Sequence, residues 1–505
     1  MAVRQVADMI ATAWIQQNNI MKIIILGAGR VGQSVAESLV SEQNGITVID
    51  TDARAVRELE ARYDLRGVVG NGIDPRVLAE AGAKDTDLLI ACASMDETNL
   101  VCCKIAQAVF EIPTRIARVR SSGFVSHDPV LGKDGFAVDR IICPEESVTN
   151  YIRKLIEYPE AMQVRAFAGG LAALASVRAR AGAPAVGLQI GQVRERMPDL
   201  AMRIVAIYRR FMDEPDRFVR CDGSTRIEPG DEVFILAATE HVPQALRAIH
   251  SPQGREARPV YRIMMAGGGQ VSLRLAQKLS QIPGRFHVKI VENSERQCMS
   301  LASVLPAEVL VLEGDATDED VLEEEGIEEV DLFLALTDDD EDNIMSSLLA
   351  KRMGARRVLS LINRRAYADL MHGTQIDIAL SPAQAMLGEL LAYVRRGDVQ
   401  AVHSLRRGVA EALEIVARGD RKSSRVVGRK VEDLSLPEDV HIGLIVRGIP
   451  AGKSSDEKQS EVTTEVIIPR SHTVIESGDH VVFFLPNKRL VRNVENLFRV
   501  SATFF

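Results

Sequence analysis

The sequence predicts an α/β protein with two doubly wound parallel-sheet domains, each followed by a small α+β domain. Three observations predict this. An apolar run enters a glycine cluster twice, in "IIILGAGRVG" (23–32) and "IMMAGGGQVS" (263–272). The segment 68–99 matches 311–343, with Gly70 and Gly314 separated by 314 − 70 = 244 positions. "STRIEPGDEVFILA" (224–237) likewise matches "HTVIESGDHVVFFL" (472–485). A register kept over this many positions indicates an internal repeat.

Length and composition bound the class of protein. A chain of 505 residues is too long for one ordinary core, and about three or four domains are expected. The 61 basic and 70 acidic residues give a net charge of −9, which argues against bulk nucleic-acid binding. The six cysteines form no CxxC pair, which favours reduced, buried thiols. No stretch reaches the ~20 apolar residues that span a bilayer, and the longest candidate, "AFAGGLAALASV" (166–177), is short and contains glycine.

The first copy has the order of a parallel βαβ unit. After the glycine turn, Val35, Leu39 and Val40 have helical spacing and predict one buried face. "ITVID" (46–50) then predicts a second strand that ends in Asp50, 21 residues beyond Gly29. In the second copy "QVSLRLAQKLS" predicts the helix, and "FHVKIVE" (286–292) predicts the strand, which ends in Glu292.

The predicted organisation alternates large and small domains. Residues 1–20 are expected to be a leader, with Met21 as a natural start, and "GIPAGKSSDEKQSEVTT" (448–464) is expected to be a mobile polar insertion. Short alternating strands with charged turns predict the small α+β modules, in which Val186-Gly187 is echoed by Val427-Gly428. The predicted domains are 21–143, 163–247, 261–380 and 399–487.

The first glycine turn has the pattern of a Rossmann-like nucleotide site. Gly27 permits the tight turn, Gly29 lets a pyrophosphate approach the backbone, and Gly32 lets the helix pack on its strand. The following helix directs free N–H groups at the phosphates. Asp50 is placed to accept two ribose hydroxyls, and its charge repels a 2′-phosphate, which favours NAD over NADP.

The second turn departs from this pattern at one position. Gly267 and Gly269 are kept, but Ser272 stands where the last glycine would be. Serine adds a side chain where helix meets strand, which loosens the fit without removing the phosphate cradle. Glu292 keeps the carboxylate with one more methylene. Weaker binding, or a different ligand preference, is therefore expected in the second half.

Motifs for catalysis are missing. The nine histidines form no HExxH or HxxxH pair, and neither GxSxG nor GxxxxGK[ST] occurs. The acidic run "TDDDEDN" (337–343) leaves a divalent-cation site open as an alternative to a charged helix start. An NAD-dependent dehydrogenase or sensor reductase is a second alternative, although the small modules leave little room for a substrate domain. The pattern favours a nucleotide that acts as a signal.

The segments "MKIIILGAGRVG" (21–32), "ITVIDTD" (46–52), "GNGIDPRVLAEAGAKDTDLLIACASMDETN" (70–99) and "ARVRS" (117–121) resemble the TrkA family. Its members are peripheral subunits of bacterial Trk potassium-uptake systems, built from two repeats of an RCK N and an RCK C domain. The resemblance covers residues 21–490. It implies a cytoplasmic tetramer on the inner face of the inner membrane, without membrane insertion of its own. It also implies NAD or NADH as ligand, with ATP or ADP as further ligands, and gating of potassium flux through a TrkH/TrkG-type membrane subunit.

The family's nucleotide contacts carry over onto matching positions of this sequence. In the first half these are Gly27, Ala28, Gly29, Arg30, Val31, Gly32, Asp50, Asn71, Gly72, Ala93, Ser94 and Arg118. In the second half they are Gly267, Gly268, Gly269, Gln270, Val271, Glu292, Asp315, Ala316, Thr337 and Asp338. Aligning "TRIARVRS" with "RRVLSLIN" places Ser360 opposite Arg118, so the second site is expected to lack one cationic contact.

Overall fold

The computed structural model describes residues 21–40, 44–125, 128–211, 216–254, 258–364, 367, 371, 375–395, 398–406, 409–449 and 464–500. The predicted leader at 1–20 and residues 450–463 of the predicted insertion lie outside the described residues. The chain divides into two compact units, Met1–Ser147 with Pro382–Leu390, and Val148–Ser381 with Leu391–Phe505.

The first unit contains a six-stranded parallel sheet of order β3-β2-β1-β4-β5-β6. Its strands are β1 (Lys22–Leu26), β2 (Gly45–Asp50), β3 (Arg66–Val69), β4 (Leu88–Ala91), β5 (Thr114–Arg118) and β6 (Arg140–Ile142). The helices are α1 (Arg30–Val40), α2 (Ala53–Arg62), α3 (Pro75–Glu80), α4 (Asp96–Phe110), α5 (Ser122–Val125) and α6 (Asp128–Leu131). The next helix, α7 (Pro144–Glu157), begins in the first unit and continues into the second from Val148. The strand order reverses between β1 and β4, which is where doubly wound sheets bind ligands.

Local sequence explains why this sheet forms. Ile23 to Leu26 are all buried, as expected for a strand covered on both faces by helices. On α1 the buried residues are Gly32, Val35, Ala36 and Leu39. Val40 is only half-buried, so the predicted face was wrong at that residue because Ala36 completes the stripe.

The second unit repeats the parallel sheet in the order β14-β13-β12-β15-β16-β17. Its strands are β12 (Arg262–Ala266), β13 (His287–Glu292), β14 (Val309–Glu313), β15 (Leu332–Ala335), β16 (Arg357–Leu361) and β17 (Ile378–Leu380). The helices are α10 (Gln270–Ser280), α11 (Glu295–Val304), α12 (Glu319–Glu324) and α13 (Asp340–Arg352). The next helix, α14 (Pro382–Val394), belongs to the first unit as far as Leu390 and to the second from Leu391.

Two five-stranded antiparallel sheets also belong to the second unit. The strands of one are β7 (Ala161–Phe167), β8 (Ala172–Arg178), β9 (Met202–Arg209), β10 (Arg217–Val219) and β11 (Glu232–Ala238), with helices α8 (Ile190–Arg196) and α9 (Val242–His250). Those of the other are β18 (Val399–Leu405), β19 (Ala410–Val416), β20 (His441–Arg447), β21 (Glu465–Ile467) and β22 (His480–Leu485), with helix α15 (Val491–Phe498). Their orders, β10-β9-β11-β8-β7 and β18-β19-β22-β20-β21, are equivalent when the second is reversed.

The echo between Val186-Gly187 and Val427-Gly428 corresponds to one turn used twice. Gly187 has φ 88° and Gly428 has φ 75°, the left-handed region that favours glycine. The Gly187 N–H donates to the Ile227 carbonyl at 2.8 Å, and the Gly428 N–H donates to the Ile475 carbonyl at the same distance. Together with the four sheets, this confirms the predicted fold class.

The two antiparallel sheets share one apolar core. It includes Phe167, Leu174, Phe234 and Leu236 from the first sheet, and Leu405, Leu444, Val482 and Phe484 from the second. The backbone N–H of Ala168 also donates to Glu414 across this contact at 2.9 Å. The small modules are therefore paired within the second unit.

The segment 166–177 forms the end of β7, a turn and β8. Within the described ranges, no helix has both the length and the apolar character needed to cross a membrane. All six cysteines are free thiols, and burial raises the pKa of Cys92 to about 12.

Candidate functional site

The first glycine turn joins β1 to α1 at the carboxyl edge of the sheet. Gly27 has φ 105°, and a Cβ there would lie 3.0 Å from backbone atoms of Cys92 and Ala93. Its N–H donates to the Ile49 carbonyl at 2.8 Å, which fixes the turn against β2. Only glycine combines this conformation with this close approach.

Gly29 and Gly32 have opposite surroundings. A Cβ on Gly29 would meet no atom within 4 Å, so the backbone faces open space where a phosphate could approach. A Cβ on Gly32 would lie 1.8 Å from the Gly27 carbonyl oxygen, so the helix packs on the turn only with glycine there. Arg30 is exposed and Val31 is half-buried at the start of the helix. The residues present thus fit a diphosphate at the helix N-terminus.

Asp50 lies at the end of β2 with both carboxylate oxygens engaged by the backbone. Its Oδ2 accepts the Ala28 N–H at 2.6 Å, and its Oδ1 accepts the Asp52 N–H at 2.9 Å. Each carboxylate oxygen can accept a second hydrogen bond. The geometry therefore holds the carboxylate beside the turn and leaves acceptor capacity for two ribose hydroxyls.

Glu292 makes the same pair of contacts in the second half. Its Oε2 accepts the Gly268 N–H at 2.7 Å, and its Oε1 accepts the Ser294 N–H at 2.9 Å. A Cβ on Gly268 would lie 2.5 Å from Leu301 Cδ1 and 3.1 Å from Glu292 Oε2. The longer acid is thus matched by a glycine where the first half has Ala28, and this match is not apparent from the sequence because it depends on the contact between Glu292 and the turn.

The rest of the second turn keeps the arrangement of the first. Gly267 has φ 94°, and its N–H donates to the Val291 carbonyl at 2.8 Å. Gly269 and Gln270 are exposed, as Gly29 and Arg30 are, and Val271 is buried. Ser272 is fully buried, and its hydroxyl donates to the Gly267 carbonyl at 2.6 Å. The serine that replaces glycine is therefore bonded to the turn that it would otherwise crowd.

The next predicted residues follow β3 and its counterpart β14. Asn71 is exposed and accepts the Ile73 N–H at 3.2 Å, while Gly72 is buried with its Cβ position 2.4 Å from Leu26 Cδ1. The packing on Leu26 explains this glycine without a ligand.

In the second half Asp315 is exposed and Ala316 is half-buried. Hydrogen bonds from the Thr317 backbone and hydroxyl lower the pKa of Asp315. Asp315 is therefore a charged turn residue.

The loops after β4 and β15 are each organised by a buried asparagine. Asn99 accepts the Ala93 N–H at 2.8 Å and donates to the Arg118 carbonyl at 3.0 Å. Asn343 accepts the Thr337 N–H at 2.9 Å and donates to the Leu361 carbonyl at 3.1 Å. The repeat was visible in the sequence, but the role of these side chains was not, because it depends on contacts between separate strands.

The neighbouring predicted residues Ser94 and Asp338 are exposed. Ser94 accepts a hydrogen bond from Arg120 through its carbonyl. Both residues lie at the carboxyl edge of their sheets.

Arg118 ends β5 and pairs with Glu145 at the start of α7. Its Nη2 lies 2.9 Å from Glu145 Oε1, and the side chains are 15% and 19% exposed. Its Nε is buried and has no hydrogen-bond partner in the described structure. Arg118 thus has one buried donor that no described residue satisfies.

The predicted equivalence of Ser360 with Arg118 is wrong by one residue. Ala91 pairs with Ala117 in the first sheet, whereas Ala335 pairs with Ser360 in the second. The position equivalent to Arg118 is therefore Leu361, because α13 is two residues shorter than α4 while its connection to the next strand is one residue longer. The second half still lacks a cation there.

The acidic run 337–343 caps and anchors a helix. Asp339 accepts the Asp342 N–H at 3.0 Å as N-cap of α13, and Asp340 accepts the N–H groups of Asn363 and Arg364. Among the described residues, no group of three or more His, Cys, Asp or Glu side chains could hold a metal ion.

A cavity of about 970 Å³ lies elsewhere, between the two antiparallel sheets. Its lining is largely apolar, and its charged residues include Arg194, Arg203, Arg470, Glu432 and Glu465. Charges of both signs line it, and it does not include the glycine turns. We therefore assign the candidate site to the turns.

Family models match all four parts of the chain. The TrkA-N domain matches residues 23–144 and 263–382, and the TrkA-C domain matches residues 174–250 and 421–498. The matched segments contain both glycine turns and both small modules.

Whole-length relatives agree with this match. The chain is 48% identical over 485 residues to the Trk system potassium uptake protein TrkA of Halomonas elongata, covering 96% of this chain and 100% of that protein. It is 46% identical to the protein of the same name from Vibrio alginolyticus, with the same coverage. Both relatives are named for potassium uptake, which favours that role over the dehydrogenase and sensor-reductase alternatives.

Solved structures share the fold at low sequence identity. The GsuK channel bound to NAD has a TM-score of 0.56 at 16% identity, covering 95% of this chain and 79% of that one. The GsuK RCK domain has a TM-score of 0.55 at 16% identity, covering 96% and 99%. The duplicated architecture, both domain matches and the full-length identity lead to one conclusion: the chain belongs to the TrkA family of Trk system potassium uptake proteins.

Proposed function

We propose that this protein is a regulatory subunit that binds NAD(H) or other adenine nucleotides at its two glycine turns and thereby gates potassium uptake. The observation that carries the proposal is the carboxylate at the end of the second strand of each parallel sheet. Asp50 and Glu292 both accept an N–H of the adjacent turn. A carboxylate suited to a ribose diol and a glycine turn suited to a diphosphate therefore lie side by side in both halves.

Different residues of the chain would bind different parts of the nucleotide. When bound, the nucleotide supplies a ribose diol and a charged diphosphate. Asp50 would accept the ribose hydroxyls, and the N–H groups at the start of α1 would donate to the diphosphate near Gly29. Arg118 would add positive charge from the end of β5, where its buried Nε has no partner among the described residues. A solved structure with the same fold is a channel bound to NAD, which is in keeping with this proposal.

The proposed regulation is allosteric. A nucleotide that binds one arrangement of the domains better than another shifts the equilibrium by its differential affinity, typically about 1 to 3 kcal/mol of coupling. We place the protein as a tetrameric ring in the cytoplasm, on the inner face of the inner membrane. Its partner would be a TrkH/TrkG-type potassium-translocating subunit that responds to the change of shape.

Calorimetric titration tests the binding sites. NADH, NAD and ATP are titrated into the unmodified protein, Asp50→Ala and Glu292→Ala. We expect two nucleotide sites per chain for at least one of these ligands, and each variant should lose one. Asp52→Ala and Ser294→Ala are matched controls, because they remove the neighbouring helix caps and spare the ribose acids. Unchanged stoichiometry and affinity in both acid variants would overturn the assignment.

Reconstitution tests the gating. Potassium flux through a TrkH/TrkG-type subunit in liposomes is measured with and without this protein and each nucleotide. Flux should change with nucleotide only when the protein is present, and Asp50→Ala should reduce the response. A potassium flux that stays the same with and without the protein and the nucleotide would contradict the proposal, even if nucleotide binding were intact.

A further inference from the structure

The two glycine turns differ in how many side chains hold their backbone. In the second turn, Ser272 Oγ donates to the Gly267 carbonyl at 2.6 Å, and Gln297 Nε2 donates to the Gly268 carbonyl at 2.8 Å. Glu292 accepts the Gly268 N–H from the other side. Both the N–H and the carbonyl of Gly268 are thus hydrogen-bonded to side chains.

The first turn has only one of these three contacts. Asp50 accepts the Ala28 N–H, and among the described side chains none donates to the carbonyls of Gly27 or Ala28. The equivalent of Ser272 is Gly32. The equivalent of Gln297 is Ala55, because both follow their acid by five residues, in helices of equal length.

Helix α11, which carries Gln297, can pack here only because residue 268 is a glycine. Leu301, one helical turn further along α11, fills the space that a Cβ at position 268 would need. Ser272 is fully buried, so its hydroxyl has no competing water. The buried hydroxyl of Ser272 and the half-buried amide of Gln297 therefore fix two consecutive carbonyls, those of Gly267 and Gly268.

Fixing a binding loop before the ligand arrives removes part of the entropy cost of binding. We propose that Ser272 and Gln297 are positioning residues that pre-organise the second phosphate turn, making the second nucleotide site the tighter and more slowly exchanging of the two. The first turn is then ordered by its ligand and responds to changing nucleotide concentration. This inference rests on the proposed function, and it reverses the weaker binding that the loss of the third glycine predicts from sequence.

The test isolates the second site in the full-length protein. In an Asp50→Ala background, ADP and adenosine are titrated by calorimetry before and after adding Ser272→Gly or Gln297→Ala. Adenosine lacks the phosphates that the turn would hold, so it reports on the pocket without the turn. Ser303→Ala is the matched control, because it removes a hydroxyl-to-carbonyl bond on the same helix, to Ser300, away from the turn.

We expect either substitution to weaken ADP binding about 3- to 10-fold, the usual effect of one lost hydrogen bond, with adenosine affinity unchanged. The dissociation rate of ADP in stopped-flow should rise by a similar factor. The result for Ser272→Gly is diagnostic, because it restores the full glycine motif and should still weaken binding. A purely structural role would lower the melting temperature and weaken both ligands equally.

The outcomes separate the two proposals. If the Asp50→Ala protein binds neither ADP nor NADH, the proposed second nucleotide site fails. If it binds them but Ser272→Gly and Gln297→Ala leave ADP affinity and dissociation unchanged, or Ser272→Gly tightens binding, only the pre-organisation is overturned. Gln297 is half-buried on a helix surface, so its alanine variant should fold even if Ser272→Gly disturbs packing.

Discussion

Gly29 and Gly32 lie three residues apart, yet an added methyl group would meet open space at one and a backbone oxygen at the other. The same motif thus contains one position reserved for a ligand and one reserved for packing. The two roles can be separated by experiment, since binding depends on the first and folding on the second.

Gly29→Ala should weaken nucleotide binding without destabilising the protein. Its Cβ would meet no protein atom, so the free energy of unfolding should stay the same or rise by up to about 1 kcal/mol. The methyl group would nevertheless stand where the phosphates approach, and ADP affinity at the first site should fall about tenfold or more. Calorimetry beside urea unfolding checks both quantities. Equal ADP affinity in the variant would show that phosphate does not approach Gly29.

Gly32→Ala should destabilise the first parallel-sheet domain by about 1 to 3 kcal/mol, because the Cβ would lie 1.8 Å from the Gly27 oxygen. Ser272→Ala at the equivalent position should cost less, about 0.5 to 1.5 kcal/mol, because it loses only the bond to Gly267. Urea unfolding of both variants gives the comparison. Equal costs would mean that the two turns are equally packed.

At the scale of elements, the sequence predicted the repeated strands well. The predicted strand 46–50 is Gly45–Asp50, and 286–292 is His287–Glu292. Continuous apolar runs next to glycine are local signals. The alignment at Arg118 failed because a segment of helix and connection that is one residue shorter in total changes register without changing composition. The bond from Ser272 was missed because it depends on how closely α10 approaches β12.

The antiparallel sheets contain equivalent polar pairs that have diverged. Ser176 Oγ donates to Glu232 Oε1 at 2.7 Å in the first sheet, and His480 Nδ1 lies 2.5 Å from Glu414 Oε1 in the second. Arg406, from the second module, also bonds Glu232. The polar side chains of the two sheets thus differ at equivalent positions, and one module bonds the other through them. This indicates that the modules pair within one chain and are not interchangeable.

His403, at the contact between the two antiparallel sheets, should make the free energy of unfolding depend on pH. On β18 its ring packs edge-on against Phe167 at 4.9 Å, and Nε2 lies 3.1 Å from the Ala166 carbonyl. Burial, with Arg165 nearby, lowers the pKa of His403 to about 3. Since an unfolded histidine titrates near 6.5, the unfolded state binds more protons below that pH, and stability should fall as pH falls from about 6.5 towards 3.

His403→Gln should remove this part of the pH dependence. Allowing for the partial exposure of the ring, we expect the unmodified protein to lose about 1 kcal/mol more than the variant between pH 7 and pH 5. Urea unfolding at several pH values measures the difference, and other titrating groups cancel in the comparison. Parallel pH profiles would show that His403 is protonated as readily in the folded protein as in the unfolded one.

At the scale of the whole molecule, the two halves have one fold and differ in the contacts at their candidate sites. The first half has the Arg118–Glu145 ion pair, with Leu361 in place of the arginine in the second. The second half has the extra bonds from Ser272 and Gln297. Two equal sites would fill over the same range of nucleotide concentration. Two unequal sites would allow one to stay filled while the occupancy of the other changes with the nucleotide concentration in the cell.

Coupling between nucleotide and membrane partner must be reciprocal if the proposed gating is allosteric. A nucleotide that tightens or loosens the complex by some factor requires the partner to change nucleotide affinity by that same factor. For a coupling of about 1 to 3 kcal/mol, the dissociation constant of ADP or NADH should change about 5- to 150-fold when the detergent-solubilised membrane subunit is added at saturation. The shift should be larger in the unmodified protein than in Asp50→Ala, because the first turn, which we propose is ordered by its ligand, should then give the larger differential affinity. If the partner binds tightly and both dissociation constants stay the same, nucleotide occupancy carries no free energy to the membrane subunit, and gating must arise from another input.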